Sequence, residues 1–405
     1  MDSYKHLILG GGMVAGYAVQ QMLEDGVAAS DIGIVSADNA PPYERPPLSK
    51  GLLLGSEEEK DVYINPPEKY GDKGVALHLE TMASGVDTKQ RRVKTDKGEF
   101  GYEKLLIASG AIVRTFGVPG SDLDGILYLR SLDDSKRIQA VIEPAKTAVV
   151  IGAGFIGMEV ASAFAQKNTK TTLVFPEERL WRAFLTPELS AWFARYYEEH
   201  GVTIAAGERV NGFAGSGRVR AVKAESGREF EAEAVVAGIG VKPATAFLEG
   251  SGLTIDNGVK VNEYLETGVD NVWAAGDVAN YYDTIFKKQR RIEHWDNAVE
   301  QGKHAAGLLQ GQREPFVHVP YFFSDVFDLS YEYWGDSADA TETIHRADWD
   351  KKEIAVFWLK GGKMVAAFVM NRPDEERDLV QEWIREGTDL SSKKDKLGDL
   401  GSALS

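Results

Sequence analysis

The 405-residue sequence contains no cysteine, which excludes disulfide bonds and every redox mechanism that depends on a thiolate. Basic residues are also few: 46 Lys and Arg against 62 Asp and Glu give a formal net charge of −16 at pH 7. That charge argues against nucleic acid or an anionic membrane surface as a partner. No apolar run is long enough to span a bilayer, and the N-terminus enters a strand without a signal-peptide pattern. We therefore expect a cytoplasmic protein of two or three domains.

The sequence does contain two copies of one pattern, in which a short apolar strand leads through closely spaced glycines into an amphipathic helix and a second buried strand. The glycines are Gly10, Gly12 and Gly16 in the first copy and Gly152, Gly154 and Gly157 in the second; an acid follows each second strand, Asp38 and Glu177. In dinucleotide-binding βαβ units such glycines allow a tight turn, approach of the pyrophosphate and close helix packing, and the acid binds a ribose hydroxyl. Two copies predict two bound dinucleotides and an α/β fold.

The segment APPYERPPLSKGLLLG, residues 40–55, follows the first pattern and contains four of the 14 prolines. This density predicts a stiff, extended loop without a helix, which carries Arg45 and Lys50. A solvated loop is one interpretation of these cations. Contact with a ligand is favoured by the position directly after a nucleotide-binding unit.

Two later strands end in small residues that would let backbone approach a cofactor. The strand KLLIASGAIVR passes through Ala108 and Gly110 before Arg114, and the strand of ETGVDNVWAAGD ends at Gly276-Asp277. A glycine followed by a carboxylate at a strand end suits a polyol, although an ordinary turn has the same sequence.

The second pattern places Glu159 in the first turn of its helix, where the helix dipole favours a carboxylate. It has either a capping-type role or a position beside the nicotinamide end of a bound nucleotide. Glu177 has no arginine directly beside it to meet a 2′-phosphate, so NADH is favoured over NADPH, although Arg179 and Arg182 follow soon after.

The C-terminal part of the chain is rich in aromatic residues and alternating patterns. Further helices are predicted at 132–142, at 374–387, and from Thr186, as N-cap, to Gly201. The pair Gly361-Gly362 predicts a hairpin. The polar composition of the tail from Ser391 predicts a loose segment. We expect a first dinucleotide-binding domain at 1–113 and 241–317, a second, NAD(H)-binding domain at 114–240 and a C-terminal α+β domain at 318–405.

The sequence resembles the FAD-dependent NAD(P)H oxidoreductases of the glutathione-reductase fold. The matching segments include ILGGGMVAGYA, PPYERPPLSKG, VVIGAGFIGMEVA, GIGVKP, VWAAGDVA, RIEHWDNA and PYFFSD, in the same order. They resemble above all the cysteine-free branch, which contains oxygenase-coupled ferredoxin reductases, monodehydroascorbate reductases and apoptosis-inducing-factor flavoproteins. The resemblance implies two Rossmann-like domains, for non-covalent FAD and for NADH, plus a C-terminal α+β domain, and it implies no metal.

The resemblance also implies roles for single residues. Gly10, Gly12 and Asp38 would hold the AMP half of FAD. Arg45, Lys50 and Asp277 would hold the flavin half, with Lys50 near N5. Glu159 would pair with Lys50 beside the nicotinamide, and Trp295 would lie near the flavin ring. The other implied cofactor-binding positions are Gly16, Ala108, Gly110, Arg114, Gly152, Gly154, Gly157, Glu177, Gly240, Gly276 and His294.

The acceptor remains open between three classes of function. Monodehydroascorbate reductases are expected to bind their radical with an arginine and a tyrosine where this sequence has Val299 and Phe323, which favours a protein acceptor such as an acidic [2Fe-2S] ferredoxin. Direct reduction of a small radical or quinone is the alternative, and a signalling flavoprotein is the third class. The basic run Lys287, Lys288, Arg290 and Arg291 is either a solvated face or the docking surface for such a ferredoxin.

Overall fold

The computed structural model describes residues 1–71 and 74–404. They form two compact units, each made from three stretches of the chain. The first unit comprises Met1–Arg45, Glu59–Ile112 and Lys242–Tyr321, and the second comprises Pro46–Glu58, Val113–Val241 and Phe322–Ser405. The boundaries that we expect for three domains stay a prediction.

A parallel sheet of five strands forms the centre of the first unit and contains the first glycine pattern. Its order is Ala76–His78, Ile32–Val35, Asp2–Leu9, Gly98–Ile107 and Val272–Ala274. Leu9 pairs with both Val35 and Ile107, and Ile107 pairs with Ala274, so these four strands end at one level. Because parallel strands end at the same edge, the residues that follow them are brought together there.

Two helices of the first unit pack closely against each other, Met13–Glu24 and Trp295–Leu309. They meet at Gly302, where a Cβ atom would lie 2.9 Å from the carbonyl oxygen of Val14. The remaining strands of this unit are Ala83–Asp87, Arg92–Thr95, Val259–Lys260, Ala279–Asp283 and Lys288–Arg290. Two short strands, Ala111–Val113 and Val241–Pro243, include the points where the chain changes unit.

A second parallel sheet, in the second unit, contains the second glycine pattern. Its order is Val202–Ala206, Lys170–Phe175, Thr147–Ile151, Ala234–Ala237 and Ile126–Leu127. Helices Leu132–Ile142, Phe155–Gln166 and Pro187–Glu199 accompany it, with a three-stranded sheet of Val210–Ser216, Arg218–Ala224 and Glu229–Glu231. The predicted helix 132–142 is confirmed, as is the N-cap at Thr186, whose side chain accepts from the N–H of Leu189.

The C-terminal part of the second unit is an antiparallel sheet with two helices. The strands are Tyr321–Val326, Leu329–Gly335, Glu342–Asp348, Glu353–Lys360 and Lys363–Met370, and the helices are Asp374–Glu386 and Lys394–Gly398. The hairpin predicted at Gly361-Gly362 is confirmed, since it joins the last two strands, and so is the helix that follows.

The prediction of a loose tail is wrong for the described residues up to 404. Leu397 and Leu404 are buried, and Arg346, only 1% exposed, donates to the carbonyl oxygens of Lys396, Asp399 and Ser402. The same guanidinium pairs with Glu376 at 3.0 Å. A buried arginine needs acceptors on all sides, and the tail supplies most of them as backbone carbonyls.

The proline-rich segment also differs from its prediction, because Pro46–Ser49 is a 3-10 turn and Gly51–Leu54 a short α-helix. Proline is tolerated at the first positions of a helical turn, where no N–H is needed. In the part of the chain that the structure describes, no helix has the length and hydrophobicity needed to cross a bilayer.

Candidate cofactor sites

The residues predicted to bind the first dinucleotide meet at the carboxyl edge of the first unit's parallel sheet. Gly10 has φ +124°, and a Cβ there would lie 2.1 Å from the carbonyl oxygen of Ala108, so only glycine fits this turn. Gly276, with φ +77°, is similarly restricted, because its Cβ would lie 2.6 Å from Val14. Gly110 also has a positive φ, and its carbonyl accepts from the N–H of Ala244.

Gly12 caps the helix Met13–Glu24 and, unlike Gly10, faces open space. Its backbone is extended, and the nearest described atom to a Cβ there is the Nη2 atom of Arg45, at 3.8 Å. The first N–H groups of the helix therefore point toward a space beside a guanidinium, a combination that suits a pyrophosphate. Gly16 lies one turn later and packs against Pro42 and Ile64, rather than against a strand as its position in the pattern predicts.

Asp38 and Arg45 are joined through a tyrosine that the sequence analysis did not single out. The hydroxyl of Tyr43, whose side chain is buried, donates to the Oδ2 atom of Asp38 at 2.9 Å and accepts from the Nη1 atom of Arg45 at 3.1 Å. The backbone N–H of Asn39 donates to the other carboxylate oxygen of Asp38 at 2.8 Å. The tyrosine thus fixes the position of the acid relative to the cation, and its only sequence signal is its place within the proline-rich segment.

The Gly276-Asp277 turn is held from two sides. Gln301, fully buried, accepts from the N–H of Gly276 at 2.7 Å, and Arg291 donates to the carbonyl oxygen of Asp277 at 3.1 Å. Arg291 also pairs with Glu293, and Arg290 pairs with Asp283. Both arginines of the predicted basic run therefore make ion pairs within the unit, and Arg291 stabilises the turn.

Helix Trp295–Leu309 contains two buried polar atoms that make no hydrogen bond to any described residue. They are the Nε2 atom of Gln301 and the Oδ1 atom of Asn297. Burying a polar atom without a partner is unfavourable, so this end of helix Trp295–Leu309 suits a polar ligand or water. His294 precedes the helix; burial is the largest cause that lowers the pKa of its imidazole, to about 4, so the ring is neutral at pH 7.

In the second unit, Lys50 lies in a cluster with two carboxylates. Its ammonium is 3.6 Å from Glu159 and 2.9 Å from Asp325, and it lies 4.0 Å from the centre of the Phe323 ring. Glu159 is at the fifth position of helix Phe155–Gln166, one residue beyond the predicted first turn. The predicted Lys50–Glu159 pair is thus present.

Two hydroxyl groups complete this cluster, and the sequence analysis did not predict the role of either. Ser49 and Ser324 each donate to the carboxylate of Glu159 at 2.5 Å. Burial raises the pKa of the Glu159 carboxyl, while Lys50 and the two hydroxyls oppose the shift. The side chain of Lys50 is 14% exposed and that of Glu159 6%, so the two charges interact with little solvent screening.

The first two glycines of the second pattern are arranged like those of the first, whereas its third glycine packs against the turn itself. A Cβ at Gly152, where φ is +100°, would lie 2.2 Å from the carbonyl oxygen of Gly238, and one at Gly157 would lie 1.8 Å from that of Gly152. Gly154, which caps the helix Phe155–Gln166, has no described atom within 4 Å of its Cβ position. This turn therefore also presents helix N–H groups to open space, as a second pyrophosphate requires.

Two acids and two arginines follow the end of strand Lys170–Phe175. Glu177 is exposed there, whereas Arg179 donates to the carbonyl oxygens of Leu185 and Arg182, and Arg182 pairs with Glu178 at 3.4 Å. Both arginines that could meet a 2′-phosphate are thus engaged elsewhere. Arg114 and Gly240, also predicted cofactor contacts, lie together, since the N–H of Arg114 donates to the Gly240 carbonyl oxygen.

These features fit an FAD and a nicotinamide dinucleotide: two glycine turns end in open helix N-termini, one has a guanidinium beside it, and each is followed by an acid after the next strand. The contribution of each predicted residue to binding stays a prediction.

Comparison with known proteins gives the same conclusion. Residues 4–302 match the family of pyridine nucleotide-disulphide oxidoreductases, and residues 319–402 match the C-terminal domain of monodehydroascorbate reductase 3-like proteins. The chain is 33% identical to monodehydroascorbate reductase of Pisum sativum, covering 94% of each protein, and 34% identical to the peroxisomal monodehydroascorbate reductase 4 of Arabidopsis thaliana, covering 93% of this chain and 81% of that protein.

Solved structures similar to this chain include two ferredoxin-type reductases. Putidaredoxin reductase, in its covalent complex with putidaredoxin, has a TM-score of 0.90 and 28% identity, covering 96% of this chain and 94% of that one. The ferredoxin reductase for the CYP199A2 system of Rhodopseudomonas palustris has a TM-score of 0.89 and 27% identity, covering 98% and 100%. The chain therefore belongs to the pyridine nucleotide-disulphide oxidoreductase family, in which it is a flavin-dependent NAD(P)H oxidoreductase without cysteine.

Proposed function

We propose that the enzyme oxidises NADH, holds FAD without a covalent bond, and passes single electrons to a protein of the ferredoxin type. The observation that supports this most directly is the carboxyl edge of the first unit's sheet, where Gly12, Arg45 and Asp38 are arranged for a dinucleotide. When bound, FAD supplies the hydride and single-electron chemistry, and the protein supplies binding and charge.

Each part of the proposed FAD site has one task. The helix N-terminus at Gly12 and the guanidinium of Arg45 bind the pyrophosphate, and the carboxylate of Asp38 binds the adenosine ribose. Asp277 binds the polyol of the flavin half, in a turn that Gln301 and Arg291 hold rigid. Lys50, which the resemblance implies to lie near N5, would stabilise the negative charge of the reduced flavin, and Glu159 would orient the ammonium through their ion pair.

We expect NADH to be preferred over NADPH because of Glu177. An exposed carboxylate repels a 2′-phosphate, while it accepts hydrogen bonds from ribose hydroxyls. Replacing Glu177 with Gln should lower kcat/KM for NADH by about tenfold, the value of one hydrogen bond to a charged group, and should narrow the preference over NADPH. Steady-state kinetics with both nucleotides measure this, with Glu199→Gln as the control, because Glu199 is an exposed carboxylate of the same unit at the end of helix Pro187–Glu199. Higher kcat/KM with NADPH in the parent protein would show that the assignment is wrong.

A ferredoxin-type acceptor is supported by two positions as well as by the similar structures. Val299 is 4% exposed within the hydrophobic core of the first unit, and Phe323 lies against the ammonium of Lys50. Neither offers the cation or hydroxyl expected for a small anionic radical. We assign the proposed ferredoxin contact to the first two cations of the basic run, Lys287, which is exposed, and Lys288, which is partly exposed, because Arg291 has a separate task in the Asp277 turn.

The acceptor can be identified by NADH-driven cytochrome c reduction with and without added [2Fe-2S] ferredoxin. We expect ferredoxin to raise turnover and the rate to fall as salt increases. The variant Lys287→Gln/Lys288→Gln should lower kcat/KM for ferredoxin by roughly threefold to tenfold, the scale of electrostatic steering, and should leave ferricyanide reduction unchanged. Arg313→Gln, which removes an exposed cation paired with Glu266, is the control.

Direct reduction of monodehydroascorbate is the second candidate, because the C-terminal residues 319–402 match that domain and the relatives in plants share about a third of the sequence. Efficient turnover with the ascorbate radical, together with no effect of any ferredoxin, would favour this candidate and return Lys287 and Lys288 to the role of solvated residues.

A further inference from the structure

The carboxylate of Glu44 accepts hydrogen bonds from two aromatic side chains of the first unit. The indole Nε1 atom of Trp295 donates to the Oε2 atom of Glu44 at 2.6 Å, and the hydroxyl of Tyr17 donates to Oε1 in a short hydrogen bond. The three residues come from different elements: Tyr17 from helix Met13–Glu24, Glu44 from the proline-rich segment, and Trp295 from the start of helix Trp295–Leu309.

We propose that Glu44 is a positioning residue that fixes the orientation of the Trp295 indole. The inference rests on the proposed function, in which Trp295 lies near the flavin ring. Glu44 is suited to this task because its own backbone is fixed: its N–H donates to the Val62 carbonyl oxygen at 2.8 Å. A hydrogen bond to a charged acceptor is roughly twice as strong as a neutral one, so the carboxylate selects one indole orientation.

Tyr17 holds the other oxygen of the carboxylate. Burial, followed by the hydrogen bond to Glu44, raises the pKa of the Tyr17 hydroxyl well above its ordinary value, so it stays protonated. The indole N–H is only a donor, whereas a tyrosine hydroxyl can donate or accept. Glutamine at position 44 can therefore accept from Trp295 and donate to Tyr17, and it should keep the geometry without the charge. Alanine cannot.

The test compares Glu44→Ala, Glu44→Gln and Tyr17→Phe in FAD-loaded protein that contains 5-fluorotryptophan. The chain has eight tryptophans, and Trp295→Phe assigns the ¹⁹F resonance of that residue. Glu44→Ala should shift and broaden this resonance and should slow reduction by NADH about tenfold in single-turnover mixing, within the range that small misplacements cost. Glu44→Gln should restore most of the resonance position and most of the reduction rate. Tyr17→Phe should give values of both that lie between those of the parent and of Glu44→Ala. NADH affinity and FAD content should stay constant.

A second Tyr–Glu pair in the same unit provides the control. The hydroxyl of Tyr63 donates to Glu59 at 2.8 Å, and Tyr63→Phe should change neither the resonance nor the rate. A Trp295 resonance that does not move in Glu44→Ala, or one that moves while the rate is unchanged, would overturn the inference. Parent protein that binds no FAD or is not reduced by NADH would instead refute the proposed function, and the resonance shift would still report the contact.

Discussion

Replacing Gly12 with aspartate should give a folded protein that has lost nearly all of its flavin. The position has extended backbone, and the nearest described atom to a Cβ there is the Nη2 atom of Arg45 at 3.8 Å, so a side chain can be added without a clash at its Cβ. Aspartate is also a favourable N-cap residue, and compared with glycine it should stabilise the helix Met13–Glu24 by about 0.3 kcal/mol. The carboxylate nevertheless occupies the space, and repels the charge, of the proposed pyrophosphate.

We expect the dissociation constant for FAD to rise at least about 100-fold, which corresponds to about 2.8 kcal/mol. The measurements are the flavin-to-protein ratio after purification, titration of the apoprotein with FAD, and the melting temperature of both apoproteins. The apoprotein of the variant should melt no lower than the apoprotein of the parent, because the substitution adds a cap. In the presence of FAD the parent should melt at a higher temperature than the variant, because bound FAD stabilises the folded parent by mass action.

Gly154 is a matched control, because it caps the corresponding helix of the second pattern with the same extended backbone and open Cβ position. Gly154→Asp should keep the flavin and lose NADH, with a similar rise in the NADH dissociation constant. If Gly12→Asp retains full flavin, the assignment of the first pattern to FAD is wrong, and if both variants lose flavin equally, the two patterns have no separate roles.

The parts of these sites that the sequence predicted are those with a local signal. The turn at Gly10 requires a positive φ next to the Ala108 carbonyl, and its glycine is visible in the strand–turn–helix pattern. The paired ends of the strands then follow from parallel topology, so Asp38 and Gly276 could be placed from their positions after strands. The helix from Thr186 was predictable for the same reason, because a cap and a proline lie within two residues.

The contacts that the sequence did not reveal join residues far apart in the chain. Gln301 accepts a hydrogen bond from the N–H of Gly276. Arg291 belongs to the basic run in the sequence, but in the structure it pairs with Glu293 and donates to the carbonyl oxygen of Asp277. The tail was misjudged because its composition is polar, whereas its backbone carbonyls serve a buried arginine on a distant strand. The amino-acid composition of a segment gives no information about which of its backbone carbonyls accept hydrogen bonds from distant side chains.

The second large effect that we expect is on hydride transfer, in the variant Lys50→Met. Methionine keeps much of the length of lysine and removes the charge, so the stabilisation of the negative charge on the reduced cofactor is lost. We expect reduction by NADH to slow about 100-fold, the scale of removing one electrostatic contact from a transition state, while FAD content stays constant. Stopped-flow absorbance of the flavin at saturating NADH measures this rate.

The same substitution should also destabilise the protein, because it leaves the buried carboxylate of Glu159 without its cation. Removing one partner of a buried pair costs up to about 3–5 kcal/mol, and less here because Ser49 and Ser324 still donate to Glu159. Burial already raises the pKa of Glu159, and losing Lys50 raises it further. The unfolded chain loses this proton at about pH 4.3, so the destabilisation is absent below that pH, grows as pH rises from there to the raised folded-state pKa, and stays constant above it.

The double variant Lys50→Met/Glu159→Gln separates these two effects. Glutamine keeps the shape and the hydrogen-bonding capacity of Glu159 without a charge, so the double variant should recover the melting temperature of the parent, and its advantage over Lys50→Met should widen with increasing pH. It should not recover the rate of flavin reduction, because the positive charge is still missing. Asp325→Asn, which alters the more exposed of the two carboxylates beside Lys50, should change the rate by less than about threefold. A double variant that is reduced as fast as the parent would show that Lys50 serves only to balance Glu159.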